Sequence, residues 1–206
     1  MNKFLEKYLK IYPHEVTRFI WLSSIFFVIF LGFAFFRNYV DASFLKRYGP
    51  QYIPMMLVIN ALLTFVVFAA TNRLNRIFLD HNILSWLLNL CGVSVLILYF
   101  MVRADITVAY PILYQILNLL DSILLVYLWN VAGDLFDARQ GKRLFPYVTA
   151  AQVLASTIGS FGTGPFTAFV GQDPTLILFA VVSAVVGTFM LISGRKFFGE
   201  LSPKTV

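Results

Sequence analysis

The sequence predicts an all-α, polytopic membrane protein of six transmembrane helices with little chain outside the bilayer. Six apolar stretches of roughly twenty residues, joined by short loops, fill nearly all of the chain. Of its 206 residues, 59% are hydrophobic and 13% charged, and mean hydropathy is +0.79. That is more apolar surface than a soluble domain of this length can bury. The stretches are far too long for barrel strands, and hydrocarbon offers no hydrogen bonds, so each must be a helix.

Before the first stretch, Lys3, Lys7 and Lys10 alternate with Phe4, Leu5, Tyr8, Leu9, Ile11 and Tyr12. Residues 1–16 therefore read as an interfacial cytoplasmic segment whose amphipathic part stops at Pro13. The run from Phe19 to Phe36 is too long for a signal-peptide core and lacks a small-residue cleavage site, so an uncleaved first span is expected. The spans are placed at 17–45, 52–74, 79–102, 107–133, 144–170 and 174–196, with a cytoplasmic tail over 197–206. No Gly/Ser linker or charge run divides them, so residues 1–206 form a single domain.

Basic residues give the orientation. They cluster in the N-terminal segment, at Arg73 and Arg76, at Arg139, Lys142 and Arg143, and at Arg195, Lys196 and Lys204, while the alternate loops hold Lys46, Arg47 and Arg103. The positive-inside rule then places both termini in the cytoplasm, as in a multi-pass protein of the inner (plasma) membrane. The net charge of +6 is spent on topology, and no nucleic-acid partner is expected.

Several classes are excluded. The single Cys91 allows no disulfide framework, neither His14 nor His81 has metal-ligand spacing, and no nucleophile elbow or phosphate loop occurs. No catalytic residue, metal or cofactor is assigned, and an enzyme is not expected.

The polar residues within the spans are unevenly distributed. Span four carries Tyr110, Tyr114, Asn118, Asp121 and Ser122 on one helix face, and span five carries Thr149, Gln152, Ser156, Ser160, Thr163 and Thr167 at steps of three and four. Span one ends in Arg37, Asn38 and Asp41, and span two offers Asn60 and Thr64, whereas Asn89 stands nearly alone in spans three and six. Spans one, two, four and five are thus expected to surround something wet. Asp121 lies near mid-span, where an acid costs about 2.5–3.5 kcal/mol on insertion scales. It reads either as a proton-coupling or solute-contacting carboxylate or as an acid that fixes helix packing. Arg37 and Asp41, four apart near the outer end of span one, read as a helix-face pair, a snorkelling arginine or an attractor of anions. The small residues of span five, Ala151, Ala155, Gly159, Ser160, Gly162, Gly164 and Ala168, read as a packing surface.

The loop Gly133-Asp134-Leu135-Phe136-Asp137-Ala138-Arg139-Gln140-Gly141-Lys142-Arg143 resembles the cytoplasmic loop motif of the major facilitator superfamily. Within it, the ATP/ADP-translocase-like nucleotide transporters and their bacterial relatives resemble this chain most in four segments: Ile11-Tyr12-Pro13-His14-Glu15, Arg37 through Gly49, this loop, and Arg143-Leu144-Phe145-Pro146. The resemblance covers the N-terminal six-helix half of that fold. It implies a cavity that opens alternately to each side, lined by Arg37, Tyr114, Asn118, Asp121 and Gln152. It also implies a cytoplasmic gate of Asp137, Arg139, Lys142 and Arg143; topology determination would use the same charges.

In the family a second six-helix half follows. Here the expectation is a half-transporter completed by a second copy or a separate second half, moving a small polar or anionic solute. The alternative is a transporter-like subunit that anchors or regulates partner proteins. Nucleotide is disfavoured as the solute, because several phosphates call for several cations and Arg37 is the cation at membrane depth.

Overall fold

The computed structural model describes residues 12–75 and 78–198, without the side chains of Pro13, His14, Arg195 and Lys196. The amphipathic stretch before Tyr12, Arg76 and the tail from residue 199 lie outside the described residues. Six long helices follow in order: α1 (Pro13–Tyr48), α2 (Ile53–Leu74), α3 (Asp80–Arg103), α4 (Ala109–Leu135), α5 (Ala138–Val170) and α6 (Pro174–Phe198), with a 3-10 turn at Pro50–Tyr52. All six are long and apolar enough to cross a membrane. The chain is a multi-pass, all-helical bundle.

Two boundaries differ from the sequence reading, each for a local reason. Pro13 opens α1 instead of separating a surface segment from it, because a proline at the first helical position forfeits no hydrogen bond. Glu15 accepts the Tyr12 N–H at 3.2 Å and so caps that turn. Helix α5 starts at Ala138, six residues before position 144, because Asp137 is its N-cap and donates its N–H to Gln140 Oε1 at 3.1 Å. Arg139, Lys142 and Arg143 therefore ride on the opening turns of α5, and the connection from α4 shrinks to Phe136 and Asp137. At the other end of α1, Gly49 adopts φ +82 and donates to the Leu45 carbonyl at 3.0 Å, a left-handed stop that suits glycine.

Helix α1 is the hub. Leu22, Ile25, Phe26, Ile29, Phe33, Phe36, Val40 and Phe44 are buried along it, and Phe36 stacks on Phe179 of α6 at 4.4 Å. α1 packs most extensively on α5, and α3 on α6; α1 also meets α4 and α6, and α4 meets α3 and α2. Exchanging α1 with α4, α2 with α5 and α3 with α6 maps this set of pairings onto itself. α1 and α5 run parallel, from Glu15–Arg143 at one end to Asn38–Thr163 towards the other. α4 and α2 also run parallel, from Gln115–Met56 to Tyr127–Phe68. α1 and α4 run antiparallel, since Arg37 meets Asp121 and Phe44, further along α1, meets Tyr114, further back on α4. Helices α1, α3 and α5 run one way and α2, α4 and α6 the other.

The flanking helices are the least covered. Only Met56 and Thr71 are buried on α2, while Met55, Val58, Leu62, Phe65 and Val66 face outward. α5 is held to α1 by small residues: a Cβ on Gly159 would come within 2.7 Å of Ala34 Cβ and 2.8 Å of the Leu31 carbonyl. Gly159→Val is expected to lower stability by about 1–3 kcal/mol in detergent unfolding. Gly164→Ala, where nothing lies within 4 Å, should be nearly neutral.

Candidate functional site

The antiparallel crossing of α1 and α4 brings the two strongest intramembrane charges together. Arg37 Nη2 donates to Asp121 Oδ2 at 2.7 Å, and the side chains are 45% and 50% exposed. Asp121 is twelve residues from the start of α4 and Arg37 eleven from the end of α1. At 1.5 Å per residue Asp121 lies about 18 Å from the start of α4 and Arg37 about 16 Å from the end of α1, so both are well inside their helices. The direct partner of Arg37 is Asp121, not Asp41. The Phe33 ring lies 5.2 Å from its guanidinium. Asp41, one turn on, is half-buried within electrostatic reach of both. The cluster therefore sets one cation against two acids.

Around this pair the predicted residues divide. Tyr114 stacks on Phe44 at 4.4 Å; Asn118 Nδ2 donates to the Tyr114 carbonyl at 2.8 Å and Ser122 Oγ to the Asn118 carbonyl at 3.3 Å. These groups share the Asp121 side of α4, with their donors turned onto their own helix. Gln152 stands apart. Thr163 is level with Asn38, whose Nδ2 donates to it at 2.9 Å, so Gln152, eleven residues earlier on α5, lies about 16 Å away along the helix. Asn60 and Thr64 are part-buried on α2, their side-chain oxygens meeting no protein donor.

The four basic-end residues also separate. Asp137 and Lys142 line one groove of about 630 Å³ with Phe145 and Thr149, and Arg139 is exposed beside them. Arg143 turns the other way. Its Nη2 donates to both carboxylate oxygens of Glu15, at 2.7 and 2.6 Å, under the Tyr12 ring at 4.6 Å. Glu15 is 4% exposed and Arg143 23%, so this is a buried strut between α1 and α5. The sequence reading assigned Glu15 no role; the available signal was an acid two residues after a helix-opening proline.

At the opposite end, Asn38, Lys46, Thr163 and Thr167 line a pocket of about 240 Å³ between α1 and α5. Polar and charged groups thus line a groove at the α4–α5 junction, the α1–α4 crossing and a pocket between α1 and α5. Among the described residues no cluster of His, Cys, Asp or Glu is arranged to hold a metal. Comparison with protein-family models, curated proteins and solved structures finds no match to this chain.

Proposed function

We propose that this chain is one six-helix half of a major-facilitator-type transporter, which pairs through its α1–α2–α4–α5 face with a second half or a second copy. Together they would move a small polar or anionic solute by alternating access. The observation that carries the reading is the Arg37–Asp121 pair, half-exposed and well inside two apolar helices of spanning length. On an isolated bundle that face would meet hydrocarbon, where charged groups are costly; a water-filled path between two halves removes the conflict. The exchange pattern of the main helix pairings and the sparse cover on α2 and α5 support the same arrangement. Because Asp121 already neutralises Arg37, the face suits a solute of low charge better than a polyphosphate.

The clustering of basic residues in the N-terminal segment and every second loop supports a cytoplasmic side for both termini. Solute-dependent thermal stabilisation of the purified assembly tests the transport reading. A solute that raises Tm in the wild type should fail to do so in Asp121→Asn. An unchanged response in a fully assembled Asp121→Asn protein would refute the role of this pair. A native mass showing unrelated partner proteins and no second six-helix unit would favour the anchoring subunit instead.

A further inference from the structure

Helices α2 and α3 follow one another along the chain yet scarcely touch; each packs on α4 instead. The space between them is a cleft with α4 as its floor. At the basic end Leu74, Phe78, Ile83 and Trp86 line a cavity of about 490 Å³. Further in, Val67 of α2, Ser94 of α3, and Ile116 and Leu120 of α4 line another of about 160 Å³. Leu87 and Leu90 line both, so the two form one continuous track. Ile83, Leu87, Leu90 and Ser94 recur at steps of three and four, which keeps the track on one side of α3.

The lining is hydrocarbon almost throughout. Ser94 donates its hydroxyl to the Leu90 carbonyl at 2.8 Å and so makes no demand on an occupant. Ser94 is eleven residues on from Ile83, about 16 Å of helix. One leaflet of a hydrocarbon layer about 30 Å thick is about 15 Å deep, so the track has the length of a single extended acyl chain. Its mouth carries a cation. Arg73, in the last turn of α2 beside Leu74, is exposed and has no ion-pair partner among the described residues. Asp80, the next acid along the chain, is buried. A guanidinium in that place complements a phosphate, with which it forms paired hydrogen bonds.

We infer that the α2–α3 cleft holds a phospholipid of the leaflet at the basic end, with one acyl chain along the track and its phosphate against Arg73. The site is independent of the Arg37–Asp121 pair, and its test needs no solute. That test is native mass spectrometry of the purified full chain, delipidated in detergent and titrated with dipalmitoyl phosphatidylglycerol. One lipid per chain should be retained saturably. Dipalmitoylglycerol, with the same acyl chains and no phosphate, should bind about fivefold more weakly, and Arg73→Gln should cost the phospholipid a similar factor. Leu90→Trp plugs the track where its two parts meet and should abolish the retained lipid; Leu90 is exposed, so the lipid-free variant should keep its helix content. Ser94→Phe, at the inner end, is the second plug. Lipid adducts of many stoichiometries, unchanged in both plugged variants, would overturn the site as ordinary contact with the bilayer. Equal retention of the two lipids would overturn it by removing the phosphate from Arg73. A two-chain mass that falls to one chain in Leu90→Trp, with no lipid retained, would overturn it in favour of a second copy.

Discussion

Arg37→Met is expected to cost the folded bundle about 2–3 kcal/mol and Asp121→Leu a similar amount, while the double variant recovers most of the loss. The magnitude lies between the roughly 1 kcal/mol of an exposed pair and the 3–5 kcal/mol of breaking a buried one, because both side chains are about half exposed. Each single variant strands an uncompensated charge midway along its helix, whereas the double removes both and leaves apolar side chains suited to that depth. A double-mutant cycle read by unfolding in mixed micelles gives the coupling. The functional readout must diverge from the stability readout. If the pair serves solute, the double variant is stable yet gives no solute-dependent shift in Tm. A double variant that retained that shift would reduce the pair to a packing device.

What the sequence made legible follows from what hydropathy measures. Span lengths came through within a few residues for α2, α3, α4 and α6, since each apolar run is bounded by charge or by a turn residue such as Gly171. The polar stripe of α4 was readable because helical periodicity alone puts Asp121 and Asn118 on one side. Partners were not readable. Lipid and protein interior are equally apolar to a hydropathy profile, so nothing in the sequence separates the side of α2 that meets α4 from the side that meets hydrocarbon. Asn60 and Thr64 were therefore read as facing water. For Arg37 local spacing offered Asp41 as one of three readings, while its partner Asp121 lies 84 residues away. The early start of α5 was legible in principle: Asp137 and Gln140 have capping spacing, but they sit inside a basic stretch that reads as loop.

The buried strut at the basic end should show the largest single effect. Glu15 carries almost no exposed surface, and Arg143 reaches both of its oxygens, so Arg143→Met is expected to lose about 3 kcal/mol by taking the guanidinium away from a buried carboxylate. Arg143→Lys should restore little of this, because an ammonium offers neither the planar guanidinium donors nor its stacking under Tyr12. The damage should be local. The far part of the α1–α5 contact is held separately by Asn38–Thr163 and the close approach at Gly159. Hydrogen exchange in Arg143→Met should therefore rise in the first turns of α1 and α5 while residues near Thr163 stay protected. Such a pattern means that the strut ties two helices of one six-helix unit together. Arg143 then acts within the bundle, leaving Asp137, Arg139 and Lys142, all exposed, as the residues open to the proposed second half. Uniform loosening along both helices would instead make the pair the keystone of the whole α1–α5 contact.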